Sequence, residues 1–108
     1  MNTFEDRKKG FEAKFFKDQE VEFKIRAKRN RLLGIWAAEH VKPANIDEYV
    51  KEVRMVDLEK PGDDDIIDKL LKDFEKKSVN ISREDIVKKI GECQQQGIDE
   101  FMKEADTI

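Results

Sequence analysis

Apolar residues recur at helical spacing along four segments of the chain, and polar or turn-forming residues separate these segments. The first segment extends from the opening residues to about Glu39 and ends before Pro43, because the residue preceding a proline is pushed out of the α region. The others begin near Ile46, Asp63 and Ser82. Connections of only a few residues favour antiparallel neighbours. The pattern predicts an all-α protein, a small four-helix bundle with a basic, aromatic N-terminal arm.

Three of the predicted helices carry start signals. Asn45 is a good N-cap, and Glu48 three residues later completes a capping-box pattern. The carboxylates of Asp63–Asp65 favour the positive end of the next helix dipole. Ser82 and Asp85 repeat the capping-box pattern at the last helix. The apolar positions of the second helix are Ile46, Tyr49, Val50, Val53, Val56 and Leu58.

Aromatic residues crowd the start of the chain, where five of the seven phenylalanines fall within the first 23 residues. On a helical projection, Phe4, Phe11 and Phe15 share a narrow arc. Two interpretations of this stripe stay open on the residues alone. Either the segment is a recognition helix that orders on a partner, or its rings fold back onto the protein's own bundle.

A second apolar stripe, formed by Ile25, Leu32 and Trp36, follows in nearly the same direction. Asp18 and Glu22 lie on the same face between the two stripes, and like charges four residues apart slightly disfavour a helix. We therefore expect the stripe to be interrupted after the opening segment, with Leu33 and Trp36 in the bundle core.

This interruption predicts two parts of the chain. Residues 1–17 form an N-terminal binding arm, and residues 18–108 form the four-helix domain. The charge pattern agrees with this division. Residues 1–31 hold ten Lys/Arg against six Asp/Glu, whereas residues 32–108 hold twelve against nineteen. A basic arm on an acidic body is typical of a chain that uses the arm as a contact surface.

The composition of the chain indicates the cellular compartment in which the protein works. Charged residues make up 44% of the 108 residues, and the mean hydropathy is −0.80. No apolar run is long enough to span a bilayer, and no signal-peptide pattern occurs. The single cysteine, Cys93, excludes an internal disulfide framework and suits a reducing compartment. We expect a cytoplasmic protein without membrane insertion.

Groups that carry catalysis are scarce. The chain has one histidine (His40), one cysteine (Cys93) and one tyrosine (Tyr49), with no visible nucleophile–base pair. We expect His40 near a helix end and Cys93 in the core. The run Asp63–Asp65 fails the calcium-loop pattern, which needs a glycine at the sixth place and a glutamate at the twelfth. These features predict a protein that is not an enzyme and has no metal site.

A basic cluster between positions 24 and 31 is the remaining candidate for ligand chemistry, because its cations can meet phosphates. The sequence pI of about 5.3 favours a solvated helix face over a nucleic-acid site, so we expect no nucleic acid partner. An adenine-nucleotide site beside the cluster is an alternative. Its candidate residues are Arg26, Arg29 and Arg31.

Two stretches carry a resemblance to a known family. The sequence FEAKF at 11–15 and the sequence AKRNRLLGIWAAE at 27–39 resemble the zeta subunit of alphaproteobacterial ATP synthase, an inhibitor of that enzyme's catalytic head. The turn Pro61-Gly62-Asp63 and the segment from Val79 to Asp85 also fit. The resemblance covers nearly the whole chain.

The resemblance implies a four-helix protein whose N-terminal segment inserts between catalytic subunits of ATP synthase and blocks rotation in the hydrolytic direction. It implies a regulator that is a monomer when free and lies at the cytoplasmic side of the inner membrane when bound. Under it, aromatic residues of the arm are partner-facing anchors and the cations steer the approach. The implied partner-binding residues are Phe4, Arg7, Lys8, Lys9, Phe11, Lys14, Phe15 and Lys17. The alternative is a small helical nucleotide-binding bundle without an inhibitory role.

Overall fold

Four α-helices make up most of the chain that the structure describes. The computed structural model describes residues 18–59 and 62–106, and no strand occurs within these ranges. The prediction of an all-α four-helix bundle is confirmed, whereas the predicted arm, residues 1–17, lies outside the described residues. The helices are α1 (Gln19–Val41), α2 (Ile46–Glu59), α3 (Asp63–Lys76) and α4 (Arg83–Asp106).

Helix α1 is the element around which the others pack. Its most extensive contacts are with α4 and α2, and α3 contacts all three of the other helices. Burial of apolar side chains between these helices drives the packing. The most deeply buried side chains of the main core are Leu33, Val53, Ile66, Leu70, Phe74 and Ile86.

A second, smaller cluster joins the beginning of α1 to the end of α4. Val21 and Ile25 are buried against Ile98, and the partly buried Phe101 and Met102 pack against them. The apolar face of α1 therefore extends into its first turn, to Val21, although Asp18 and Glu22 nearby are exposed.

The centre of the α1 face differs from the predicted stripe. Leu33 is fully buried, as predicted, and so is Ala37, whereas Leu32 and Trp36 are only partly buried at the edge of the core. The reason is that α1 packs between α2 and α4, so its buried face is wider than a single stripe. The prediction that Trp36 lies within the core is corrected accordingly: its ring meets Phe74 edge-on at a centroid distance of 5.6 Å.

The start of α1 has an N-cap that the sequence pattern did not predict. Asp18 has an extended backbone, with φ −93° and ψ 114°, and its side chain accepts hydrogen bonds from the backbone N–H groups of Glu20 and Val21 at 2.9 and 3.4 Å. An N-cap residue is non-helical, so a first helix that runs unbroken from the opening residues through position 18 is ruled out. At its other end α1 continues to Val41, two residues past the predicted end, and Lys42 closes it in the left-handed conformation with φ 52°.

The predicted N-cap of α2 and the predicted capping box of α4 are confirmed. The backbone N–H of Glu48 donates to Asn45 Oδ1 at 3.1 Å. At α4 the exchange is reciprocal, because Asp85 N–H donates to Ser82 Oγ and Ser82 N–H donates to Asp85 Oδ2, both at 3.1 Å. The hydrogen bond from the Ser82 backbone is the main reason that the pKa of Asp85 is lowered.

The middle of the predicted apolar face of α2 is confirmed, because Tyr49, Val50 and Val53 are buried and Val56 packs against the core, but the two ends of that face are not. Ile46 and Leu58, both assigned to its apolar face, are each 56% exposed. In contrast, Asp57 is only 5% exposed and shares the buried side of the helix with Tyr49 and Val53. Helix α2 thus carries apolar residues at its outer edge and a carboxylate at its inner edge.

A glycine sets the distance between α1 and α4. A Cβ atom placed at Gly97 would lie 3.2 Å from the carbonyl oxygen of Ile25 and 3.4 Å from the backbone nitrogen of Arg29. Glycine lowers helix propensity, but here it allows the two backbones to approach closely.

Candidate functional site

The eight predicted partner-binding residues lie outside the described residues, and their assignment stays a prediction. They are Phe4, Arg7, Lys8, Lys9, Phe11, Lys14, Phe15 and Lys17. What the structure describes is the point at which this segment joins the folded body. Asp18 caps α1 there, and Val21 and Ile25 fix the first two turns against α4. The opening segment is thus attached to a capped and well-packed helix start.

The predicted basic cluster is the best-defined polar site among the described residues. Arg26 on α1 holds Asp57 on α2 with two hydrogen bonds, from Nε to Oδ2 at 2.5 Å and from Nη2 to Oδ1 at 2.7 Å. Its Nη2 also donates to Asp63 at 3.1 Å. A two-pronged arginine–carboxylate pair fixes orientation as well as distance. Arg26 therefore ties α1 to the end of α2 and to the start of α3.

Arg29 and Asn30 complete this network from the buried side. Arg29 is 4% exposed and donates to Asp63 Oδ1 at 3.0 Å and to Asn30 Oδ1 at 2.8 and 3.0 Å. The Asn30 amide in turn donates to Asp57 Oδ2 at 2.7 Å. No buried side-chain polar atom in the described ranges lacks a hydrogen-bond partner. The network is thus satisfied internally, as buried charges require.

The electrostatics of the pair follow from these contacts. Burial disfavours the charged form of Asp57, but hydrogen bonds from Arg26 and Asn30 outweigh burial and hold the pKa of the carboxyl below its usual value. The hydrogen bond to Asp57 raises the pKa of Arg26 against the opposing effect of burial. Both groups are therefore charged at neutral pH.

The structure brings two of the three candidate nucleotide-binding residues together and separates the third. Arg26 and Arg29 both face Asp63, so a nucleotide phosphate at these cations competes with carboxylates that already hold them. Arg31 is exposed and lines a different cleft, beside Ile35 and Lys51. Adenine-nucleotide binding stays a prediction that these residues can be used to test.

Sequence reasoning missed Asp57, although a signal was present. Asp57 follows Val53 by four residues and Val50 by seven, so it lies on the apolar face of α2. A carboxylate in such a position is almost never fully buried unless it is paired, and Arg29 and Asn30 occupy corresponding positions in α1. Charged residues on two facing apolar stripes are therefore the pattern that indicates a buried ion pair.

The residues weighed for catalysis have structural partners. The Tyr49 hydroxyl donates a hydrogen bond to Asp73 Oδ2 at 2.7 Å. Burial is the largest of the causes that raise the pKa of Tyr49 above its ordinary value. Cys93 is a buried free thiol, as predicted, and its pKa is raised by burial. His40 lies in the last turn of α1 with its ring 5.3 Å from the ring of Trp36.

Metal clusters and membrane-spanning helices are both absent from the described ranges. No group of three or more His, Cys, Asp or Glu side chains there is arranged to hold a metal ion. None of the four described helices combines the length and the apolarity needed to cross a bilayer.

Comparison with known proteins gives the family. No curated protein matches the chain. The family model for the ATPase inhibitor subunit zeta matches residues 1–100, which includes the basic, aromatic opening segment, the capped start of α1 and the Arg26–Asp57 network. Because the match covers nearly the whole sequence, the chain belongs to the ATPase inhibitor subunit zeta family.

Proposed function

We propose that this protein restrains ATP hydrolysis by ATP synthase, and that residues 1–17 are the segment that enters the catalytic head between catalytic subunits. The observation that carries the proposal is the family match, which begins at residue 1 and so includes this segment. The protein acts as a regulator and binds at the cytoplasmic side of the inner membrane, where the head is exposed. When free, it is a monomer.

The chemistry of the opening segment supports this role. On a helical projection of the sequence, Phe4, Phe11 and Phe15 fall on one side, and aromatic side chains of this kind are the usual anchors of a protein interface. Residues 1–17 also hold five Lys/Arg against three Asp/Glu, which favours association with an acidic surface and speeds the encounter.

The structure of the four-helix body is consistent with separate roles for the body and for residues 1–17. Its first helix is capped by Asp18 and is held on α4 by Val21 and Ile25, so α1 begins at a fixed point just after the opening segment. A packed body directly behind an inserting segment limits how far that segment can enter. Under this proposal, residues 1–17 block rotation and the four-helix body stays outside the entry site.

A full-length variant with Phe4→Ser, Phe11→Ser and Phe15→Ser tests the proposal. ATP hydrolysis by the purified catalytic head from the same organism is titrated with the wild-type protein and with the variant. Loss of three anchors should raise the half-inhibitory concentration by about a hundredfold or more, since a single anchor contributes on the order of 1–2 kcal/mol.

Phe16→Ser is the matched control, because Phe16 lies in the same segment but off the predicted stripe. It should inhibit nearly as well as the wild type. Equal potency of the triple variant and the wild type would show that the stripe is not the inhibitory surface.

A further inference from the structure

An apolar groove lies between α1 and α2 on the outer surface of the body. It consists of two clefts with volumes of about 280 and 470 Å³, which share Arg54 and Leu58 in their walls. The first cleft is closed on the α1 side by Phe23, and the second by Ile35. We call this feature the α1–α2 groove.

Exposed hydrophobic side chains concentrate at this groove. Five large hydrophobic residues in the described ranges are exposed, and four of them are on α1 or α2 beside the groove. Phe23 is 58% exposed, and Met55 is 42% exposed. Together with Ile46 and Leu58 they line the two adjoining clefts, whereas the fifth residue, Val87, is on α4. Single exposed hydrophobic residues are ordinary, but a contiguous patch marks an interaction surface.

The side chains around the groove are mainly basic, whereas the body as a whole carries a net negative charge. Arg31, Lys51 and Arg54 line its walls, are exposed, and form no ion pair within the described ranges. Of the two carboxylates in its lining, Asp57 is held by Arg26, which leaves Asp47. Residues 18–108 as a whole hold seventeen Lys/Arg against twenty-two Asp/Glu. The groove is therefore a basic and apolar strip on an acidic body.

We propose that the α1–α2 groove binds an amphipathic helix of the partner enzyme whose apolar stripe is flanked by Asp and Glu. The part of α2 from Ile46 to Leu58 spans roughly 18 Å, which is more than three turns of a docked helix. Such helices bind grooves through anchors at i, i+3 or i+4 and i+7, and flanking carboxylates would meet Arg31, Lys51 and Arg54. The choice of the ATP synthase head as the partner rests on the proposed function.

Charge argues against the two occupants that the protein could supply itself. Residues 1–17 hold more Lys/Arg than Asp/Glu, so they would place like charges against Arg31 and Arg54. In a two-fold dimer through this surface, the same basic strip would face itself. An acidic helix from another protein suits both the charge and the apolar floor.

Two full-length variants test the groove, with the purified catalytic head from the same organism as the probe. One carries Phe23→Ser and Leu58→Ser, and the other carries Arg31→Glu and Arg54→Glu. Each should raise the dissociation constant for the head by about tenfold or more. The charge-reversal variant should also weaken the dependence of the association rate on salt concentration. All four side chains are at the surface or groove wall, so unfolding curves should stay close to wild type.

The matched control is Val87→Ser with Lys88→Glu, which makes the same two kinds of change at an exposed site on α4. It should leave the dissociation constant unchanged. Wild-type affinity in both groove variants overturns the inference. The inference is also overturned if the wild-type protein is a dimer that the groove substitutions dissociate, because a second copy then occupies the groove. It is overturned as well if the groove substitutions shift the amide signals of residues 1–17 in the free protein without loss of affinity for the head, because those residues then occupy the groove.

The failure of this inference is distinguishable from that of the proposed function. If the wild-type protein inhibits and the groove variants bind and inhibit equally well, only the groove inference fails. If the wild-type protein does not bind the head, both fail. If the Phe4, Phe11 and Phe15 variant still binds but no longer inhibits, both are supported, because the groove then holds the head without the blocking segment.

Discussion

Asp57 is the buried carboxylate at the centre of the polar network between α1 and α2. Its carboxylate receives hydrogen bonds from Arg26 and Asn30, and Arg26 reaches on to Asp63 at the start of α3. A buried ion pair adds little stability over an apolar replacement, but removal of one partner leaves the other buried without compensation. The network therefore matters most when one of its members is lost.

We predict that Asp57→Asn lowers the free energy of unfolding at pH 7 by about 2 kcal/mol, less than for a fully buried pair because Arg26 is partly exposed. The control Asp68→Asn removes an exposed carboxylate that pairs with Arg83 and should change stability by less than about 1 kcal/mol. Denaturant unfolding curves measure both.

The same variant gives a pH signature. The pKa of Asp57 in the folded protein lies below its ordinary value of 3.8, so the unfolded state binds more protons as the pH falls. The stability that the ionised carboxylate provides is present above pH 3.8 and is lost as the pH falls through the lower, folded-state pKa. The difference between wild type and Asp57→Asn should be constant between about pH 7 and 5 and should shrink below 3.8. A difference that persists or grows in acid would contradict this role for the carboxylate.

At the scale of elements, α1 organises the body by meeting α2 on one side and α4 on the other. Two glycines mark these contacts. Gly34 approaches Val50 on α2, where a Cβ atom would come within 3.2 Å of the Val50 Cα, and Gly97 on α4 approaches the α1 backbone equally closely. The spacing of the helices thus depends on positions where no side chain is present.

We predict opposite effects for alanine at the two glycines of α4. Gly91 is exposed, and a methyl group added there would meet no atom within 4 Å, so Gly91→Ala should raise the free energy of unfolding by about 0.5–1 kcal/mol through helix propensity. Gly97→Ala should lower it by about 1 kcal/mol, because the α1 backbone must move away. Thermal and denaturant unfolding of the two variants provide the test. A stabilised Gly97→Ala protein would show that α1 and α4 separate easily.

The elements differ in how far the sequence predicted them. Local signals predicted the starts of α2 and α4, because Asn45 and the pair Ser82 and Asp85 act within one turn. The exposure of Ile46 and the burial of Asp57 depend on which side of α2 meets α1, and periodicity alone does not contain that information.

The start of α1 and the candidate site show the same limit. In the sequence pattern Asp18 is a charge that interrupts a stripe, whereas in the structure it is the N-cap. The pattern predicts a solvated helix face for the basic cluster, but Arg29 is buried, and Arg26 and Arg29 each hold a carboxylate more than 25 residues away along the chain. Contacts that are distant in sequence decide these roles, and no local pattern specifies them.

At the scale of the whole molecule, charge and apolar surface are distributed in a way that suits an inhibitor with two contacts. A basic, aromatic opening segment leads into an acidic body, and the body bears one basic and apolar strip at the α1–α2 groove. In this account the opening segment blocks the enzyme, while the groove increases the residence of the body on it. Two linked contacts bind more tightly than either contact alone.

The most direct test of this account is the rate of ATP hydrolysis by the purified catalytic head, measured with increasing amounts of the full protein and of a chain that begins at Asp18. The account predicts that the full protein lowers the rate to a plateau, whereas the shortened chain keeps its helical fold and leaves the rate unchanged at the same concentrations. Equal inhibition by the shortened chain would contradict it.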